Sequence, residues 1–220
     1  MEPTPELVAM LEASRRWSDS SGTDGARAYL AYEDHRGIDL AGAVLTEATM
    51  QEGDLSDAVL DHADLVRALA NGLRLTRAHL RHANLARAEL AEANFVDADA
   101  TGTSFARAQL IRVNFTGARM AGANLFHATC LAAVFRGADL SSANLDFAML
   151  DGADLTRANL SGANLDRIRI DSNTVFDGAN LDGITLTYIL DDGRRVEGEA
   201  ALALLRARAA EQVGPDGFKP

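Results

Sequence analysis

The sequence contains very little cysteine: Cys130 is the only one among 220 residues. A single cysteine cannot form a disulfide within the chain. Cys130 falls on a position that the repeat described below directs inward. We therefore predict a buried structural thiol rather than a nucleophile.

Long apolar runs and a basic leader are also missing. No apolar stretch approaches the ~18 residues that a membrane-spanning helix needs, and residues 1–5 do not have the pattern of a secretory signal. The net charge of −11 disfavours nonspecific attraction to nucleic acid or to an anionic membrane, and it favours solubility or a basic partner. We expect a cytoplasmic protein that does not bind nucleic acid or a membrane directly.

The motifs of the common catalytic and cofactor sites are absent. The sequence has no GxSxG, GxGxxG, phosphate-binding loop, CxxC or HExxH, and no histidine stands in a recognisable arrangement with a Cys or Ser nucleophile. His62 and His82 could stack, but no carboxylate or thiol at a matching position completes a set of metal ligands. We expect a protein without catalytic activity, cofactor or metal.

What the sequence has instead is a five-residue pattern that keeps one register from Asp39 to Ile170. The underlying pattern is a small residue, Asp or Asn, a large central residue and two variable residues, as in Ala138–Ser142 and Ala163–Arg167. From Leu40 onward, 17 of the 27 central positions are Leu and four are Phe. Two residues earlier, 21 of the 27 positions are Ala. Large and small side chains therefore alternate at a fixed spacing.

A strict period of five fits neither a helix, which repeats near 3.6, nor a strand, which repeats at about 2. The chain must instead turn by a fixed angle at every quintet and stack on itself. The large residues would then fill the axis, while Asp or Asn would bond the local backbone and tolerate unusual turn angles. One quintet cannot bury its own apolar pair, so stacked coils share one core. The pattern predicts a solenoid.

Tandem Ala-Asp/Asn-Leu-x-x quintets make the chain resemble the pentapeptide-repeat family over residues 39 to about 186. The resemblance implies an all-β solenoid, a right-handed quadrilateral parallel β-helix with four quintets per coil. At that ratio the 27 quintets make nearly seven coils, or roughly 30 Å of rod at ~4.8 Å per coil. We divide the chain into a helical N-terminal cap (1–37), the repeat (38–190), and a C-terminal helix and tail (191–220).

Helices are expected to cover the lower, N-terminal end of the rod, because the terminal units of a solenoid need protection from water and from edge-to-edge stacking. One helix is predicted from Pro5 to about Trp17, and a short second helix over 26–32. The aromatic and apolar residues Trp17, Tyr29, Leu30 and Tyr32 are the expected cover.

At the upper end the register breaks after Ile170, and one extra residue within 171–175 is expected to form a bulge or a widened corner. A turn over 191–193 precedes a helix predicted from 197 to about 213. This helix either plugs the end or packs on a second copy, with Leu202, Leu204 and Leu205 as the candidate contacts. The resemblance suggests dimers formed through the C-terminal end, so a homodimer is expected.

Residues twenty positions apart should stack coil over coil, so the period also predicts surface columns. Arg67, Arg87 and Arg107 share one column, with their roots ~5 Å apart. Like charges at this spacing are unfavourable unless their tips splay into solvent or meet an anion, and both interpretations stay open. Ile111 and Leu131 share an apolar column and are a second candidate contact.

Two functions remain. The first is mimicry of DNA. The resemblance implies a rod of duplex-like diameter, and the family includes proteins of the Qnr and MfpA type. Those proteins bind DNA gyrase and topoisomerase IV and protect them from quinolones or natural-product poisons. The carboxylates of Asp54, Asp57 and Asp61 would then take the places of phosphates. The arginine column and the lack of a long inserted loop count against it. The alternative is a scaffold or regulatory module with an unrelated protein partner.

Overall fold

The computed structural model describes residues 4–210. This part of the chain forms a coil of quintets with a helix at each end. In this part of the chain the elements are α1 (Pro5–Asp19), β1 (Arg169–Ile170), β2 (Tyr188–Asp191), β3 (Arg194–Glu197) and α2 (Gly198–Ala210). Most of the coil is held by single parallel β-bridges rather than by longer strands. Neither of the two helices has the length and apolarity that a membrane crossing requires.

Each coil contains four quintets. The residue before each central residue bridges, in parallel, the residue twenty positions later, from Tyr29↔Thr49 to Met149↔Arg169. The central residues add hydrogen bonds between coils; the Leu40 N–H, for example, donates to the carbonyl of Val59 at 2.7 Å. The structure therefore confirms the predicted solenoid of stacked coils.

The two variable residues of each quintet form a corner. The Ala43 N–H donates to the Leu40 carbonyl at 3.0 Å, and the second variable residue has a φ between 51° and 68° in every quintet from Tyr32 to Arg167. A positive φ at that position is the geometry of a type II turn. Where a quintet has Asp or Asn before its central residue, that side chain supports the same corner; the Asn124 Oδ1, for example, accepts the Phe126 N–H at 3.1 Å.

The large residues fill the axis. Every central residue from Leu40 to Ile170 is at most 2% exposed, which confirms the predicted inward orientation. Phe95, Phe115 and Phe135 stack on one another in successive coils, with ring centroids 4.8 and 5.2 Å apart. Cys130 is buried in the same core, as predicted, and burial raises the pKa of its thiol to about 12. The thiol is therefore protonated and unreactive at neutral pH.

At the lower end α1 forms as predicted and extends to Asp19. Thr4 caps it, because its hydroxyl oxygen accepts the Leu7 N–H at 3.3 Å. Leu7 is buried, and Met10 and Leu11 pack against the core. The helix thus covers the open end of the first coil.

The second helix predicted over 26–32 is wrong. Tyr29 makes a parallel bridge to Thr49, so this segment is part of the first coil, which begins earlier than residue 38. Leu30 is a buried central residue, but Tyr29 and Tyr32 are 55% and 65% exposed. These two side chains occupy the outward positions of a quintet and therefore do not cover the end.

The extra residue near the upper end is confirmed. Beyond it the bridged residues lie 21 positions apart, as in Asp154↔Val175 and Asn164↔Thr185. The hydroxyl of Thr174 donates to the carbonyl of Leu150 at 3.0 Å, which ties the widened corner to the coil below.

Above that corner, β2 pairs in parallel with β1, and β3 pairs antiparallel with β2. The predicted turn over 191–193 joins β2 and β3, although the sequence analysis did not predict this hairpin. α2 follows over Gly198–Ala210, within the predicted helix. Glu197, where that helix was predicted to begin, instead ends β3, and the part of the prediction beyond residue 210 lies outside the described residues. Ala201 and Leu205 of α2 are fully buried, so α2 closes the upper end.

Candidate interaction surfaces

The outward side chains stand in columns, and most charged columns combine acid with arginine. Five pairs of residues twenty positions apart bring a carboxylate within 2.7 to 3.7 Å of a guanidinium nitrogen: Glu47–Arg67, Asp54–Arg74, Asp57–Arg77, Glu92–Arg112 and Asp99–Arg119. Exposed pairs of this kind add only ~0–1 kcal/mol each to stability. They do cancel charge locally, so these paired columns contribute little to the net charge of −11.

Two of the three predicted acidic contacts are paired in this way. Asp57 accepts hydrogen bonds from Arg77 at 2.7 and 2.8 Å, and these bonds hold the pKa of Asp57 below its usual value. Burial alone would raise the pKa of Asp54, but hydrogen bonds from Ser56 and the nearby Arg74 lower it overall. Both carboxylates are therefore charged, and both are already engaged by their own chain.

Asp61, the third predicted contact, makes no ion pair with any residue between 4 and 210. Its side chain accepts the Arg81 backbone N–H at 2.8 Å. Of the three carboxylates, Asp61 alone is available to a basic partner without breaking an internal ion pair.

The arginine column, defined as Arg67, Arg87 and Arg107, departs from the pairing of acid with arginine. Arg67 lies 3.5 Å from the carboxylate of Glu47 in the coil below, and Arg27 approaches the same carboxylate at 2.7 Å. Arg87 and Arg107 make no ion pair within the described part of the chain. The structure thus places three like charges in successive coils, as the sequence predicted.

Above the arginine column, the same position of the next coils holds an aromatic stack that consists of His127, Phe147 and Arg167. The His127 and Phe147 rings are 4.5 Å apart and nearly parallel, at 6°. The guanidinium carbon of Arg167 lies 4.1 Å from the Phe147 centroid, and Arg167 also pairs with Asp146 at 2.6 Å. The sequence period placed these residues in one column, but their stacking depends on rotamers that the period does not specify.

The predicted apolar column is less prominent. Ile111 and Leu131 are only half-buried, and they do point outward. Within residues 4–210, the large apolar side chains with the greatest exposure are instead Val8, Tyr29 and Tyr32, all near the lower end.

The three predicted dimer contacts on α2 differ in orientation. Leu205 is fully buried and Leu204 packs against the core, so both serve to close their own coil. The assignment of Leu205 to a dimer interface is therefore wrong, because its side chain is enclosed by its own chain. Leu202 is half-buried and lies outside that core cluster, and it stays a candidate contact.

The histidines form a pair and no more. His62 and His82 stack with ring centroids 5.4 Å apart. Among the described residues, no His, Cys, Asp or Glu side chains come together in a group of three that could hold a metal ion.

Comparison with known proteins agrees with this architecture. The sequence profile of pentapeptide repeats matches eight copies, over residues 26–61, 38–72, 58–99, 93–129, 103–141 and 130–167. No curated protein matches the chain.

Several solved structures are similar in part. HetL, a protein of Nostoc sp. strain PCC 7120 involved in the regulation of heterocyst differentiation, is 23% identical, with 82% of this chain and 96% of HetL covered and a TM-score of 0.36. QnrB1, a plasmid-mediated fluoroquinolone resistance protein, is 19% identical, with 85% of this chain and 98% of QnrB1 covered and a TM-score of 0.40. Rfr23 of Cyanothece 51142 is 23% identical, with 77% of this chain and 100% of Rfr23 covered and a TM-score of 0.33. Because the repeat matches run from residue 26 to residue 167 without a gap, over more than half of the chain, this protein belongs to the pentapeptide-repeat family.

Proposed function

We propose that the chain is a non-catalytic rod, right-handed as expected for its family, that binds a cytoplasmic protein partner through its outward columns. The observation that supports this proposal most is the fixed position of the outward side chains. Each quintet is hydrogen-bonded to neighbouring coils, and the core beneath is sealed by side chains that are at most 2% exposed. A surface held in this way is pre-organised, which lowers the entropy cost of binding a second protein.

Protection of DNA gyrase or topoisomerase IV by DNA mimicry is the second candidate. The net charge of −11 and the unpaired carboxylate of Asp61 favour it. The pairing of Asp54 and Asp57 with arginines counts against it, because a mimic must present uncompensated negative charge. The arginine column counts against it for the same reason. A scaffold with another protein partner is therefore the better supported function.

A supercoiling assay separates the two candidates. The purified chain is added to gyrase in a supercoiling assay and to topoisomerase IV in a decatenation assay, with and without a fluoroquinolone, at several salt concentrations. A mimic inhibits supercoiling or rescues it from the drug, with an effect that weakens steeply as salt increases. A scaffold does neither, and instead co-purifies with a different cellular protein at a fixed stoichiometry.

The variant D54N/D57N/D61N shows which end of the rod is responsible. If it binds gyrase as the wild type does, the acidic lower coils are not the contact surface. If the wild-type chain neither affects either topoisomerase nor forms a stoichiometric complex from native extract, the protein-binding function itself is rejected.

We further propose a homodimer through the outer side of α2. Leu202→Arg should convert a dimer to a monomer in light scattering without lowering the melting temperature, because Leu202 is only half-buried. Leu205→Arg should instead destabilise the chain, because it places a charge in the core. A wild-type protein that is monomeric at all accessible concentrations contradicts the dimer.

A further inference from the structure

The arginine column departs from the pairing of acid with arginine that several other columns show. Elsewhere, an arginine commonly stands above an acid from the coil below, as at Asp57–Arg77, Glu92–Arg112 and Asp99–Arg119. In the arginine column, Arg87 stands above Arg67 and Arg107 above Arg87. A single acidic residue at either upper position would have continued the usual pattern.

Within residues 4–210, neither Arg87 nor Arg107 forms an ion pair that would offset the repulsion between successive arginines. Neighbouring coils lie ~4.8 Å apart, and like charges directly opposite one another on adjacent strands are destabilising. Arg87 and Arg107 have no carboxylate within 4.0 Å in residues 4–210. The missing anion must therefore come from outside the chain if these charges are to be paired.

Glu47 at the base of the column shows what such an anion could be. Its carboxylate is held by Arg27 at 2.7 Å and by Arg67 at 3.5 Å. Below the arginine column, a carboxylate is thus held between two arginines that are two coils apart. Beside the arginines, the first variable residues are Val66, Ala86 and Ala106, which are small enough to let another backbone approach.

We propose that the arginine column binds the acidic face of an α-helix of the partner protein; this inference rests on the proposed protein-binding function. Across three coils the column spans roughly 10 Å. A helix with acids at i, i+4 and i+7 presents them over a similar distance, about 10 Å, because its rise is ~1.5 Å per residue. In an extended strand, side chains on one face recur at ~6.7 Å, which fits the spacing of the column less well.

The structure favours this helix over a nucleic acid strand. Single-stranded nucleic acid is commonly bound by cations together with aromatic rings on which bases stack. Phe147, two coils above Arg107, is covered on one face by His127 and on the other by Arg167, and the nearer Phe126 packs edge-on against both His127 and Phe147. A base has no free face of Phe147 to stack on, and the net charge of −11 opposes a polyanion beyond the column itself.

The test compares two triple variants with equal changes of charge. R67Q/R87Q/R107Q removes the column, and R77Q/R112Q/R119Q removes three arginines that are paired on the other faces. Each is titrated against an alanine-rich helical peptide with glutamates at i, i+4 and i+7, by fluorescence anisotropy. A second peptide of equal composition, with its glutamates spread around the helix, and a single-stranded oligothymidylate are the alternative probes.

We expect the wild type to bind the peptide whose three glutamates share one face of the helix more tightly than the other two probes. The column variant should bind it about tenfold to a hundredfold more weakly, as the loss of three ion pairs implies, while the control variant stays within about twofold. The melting temperature of the column variant should stay close to that of the wild type, since relief of repulsion offsets the loss of the exposed Glu47–Arg67 pair.

Four results would overturn the inference. These are no peptide binding by the wild type, equal weakening in both variants, tighter binding of the oligothymidylate than of either peptide, or a clear loss of stability in the column variant, which would make the column structural. The proposed function is tested separately, by the native partner. If the column variant still captures that partner as well as the wild type does, the rod binds elsewhere and only the assignment to this column fails.

Discussion

At the scale of single residues, the corner of each quintet depends on its second variable residue. This residue has a positive φ in every quintet from Tyr32 to Arg167, yet glycine occupies only some of these positions. A non-glycine residue there costs about 1 kcal/mol or more. At Arg77 and Arg112 the side chain forms an ion pair that accounts for its presence. Ala132 has the same strained φ of 52° and no such interaction.

Exchanging alanine and glycine at two corners should therefore change stability in opposite directions. Gly122→Ala adds a methyl group with nothing within 4 Å, so it isolates the backbone strain, and we expect it to lower the free energy of unfolding by about 1 kcal/mol. Ala132→Gly should raise it by up to about 1 kcal/mol. Urea denaturation measures both changes.

The control for this pair is Ala121→Gly, at the first variable position, where φ is not positive. Glycine there gains no relief of strain, so it should lower stability by about 0.5–1 kcal/mol. If Ala132→Gly and Ala121→Gly lowered stability equally, the left-handed corner would not be under strain.

At the scale of the elements, the coils were predictable throughout, whereas the ends were predictable only in part. Within the coils each quintet repeats the same inward and outward positions, so Leu85 or Phe105 could be assigned to the core from spacing alone. At the ends this redundancy is lost. Tyr29 and Tyr32 fit both an amphipathic helix and a quintet, and only the bridge from Tyr29 to Thr49 decides between them.

The surface was likewise predictable in part: the columns follow from the period, but the side-chain contacts do not. The period predicted that Arg67, Arg87 and Arg107 lie in one column. The pairs of an acid and an arginine twenty positions apart could have been predicted from the same period. Side-chain rotamers, such as those that set Phe147 between His127 and Arg167, follow from local packing and leave no signal in the period. Leu205 was misassigned because a helix that closes an end has apolar residues on the same spacing as one that forms a dimer.

Helix α1 contains one unfavourable buried group. Ser14 lies against the end of the coil with 0% exposure, and its hydroxyl has no hydrogen-bond partner among the described residues. An unsatisfied buried hydroxyl costs roughly 1–3 kcal/mol. Alanine also has a higher helix propensity than serine.

Ser14→Ala should consequently raise the free energy of unfolding by about 1 kcal/mol or more, measured by thermal or urea denaturation. Ser20→Ala, the same chemical change just after the helix, should lower it, because the Ser20 hydroxyl oxygen accepts the Asp24 N–H at 2.9 Å. A destabilising effect of Ser14→Ala would indicate that the Ser14 hydroxyl has a partner after all, such as a buried water molecule.

At the scale of the whole molecule, carboxylates on every face have pKa values below their usual value. They are Asp34, Asp54, Asp57, Asp99, Asp154, Asp166 and Asp171. For Asp99, burial alone would raise the pKa, but hydrogen bonds from Thr101 and Arg81 lower it overall. A carboxylate whose pKa is lower in the folded chain stabilises that chain above its unfolded pKa of 3.8. This contribution is lost as the pH falls through the folded pKa.

The rod should therefore keep its stability from neutral pH down to about pH 4 and lose it progressively below. In Asp99→Asn the free energy of unfolding should fall less steeply as the pH is lowered, because Asp99 is only 7% exposed and pairs with both Arg81 and Arg119. At neutral pH the same variant should be less stable by roughly 1–3 kcal/mol, since it leaves two arginines without their carboxylate. Asp139→Asn, in the same column, is the control: Asp139 pairs with no arginine in the described chain, and asparagine can accept the bond that Asp139 takes from the Ser141 N–H. Urea denaturation from pH 7 to pH 2 gives both curves, and an acid loss that is as steep in Asp99→Asn as in the wild type would show that Asp99 contributes nothing to it.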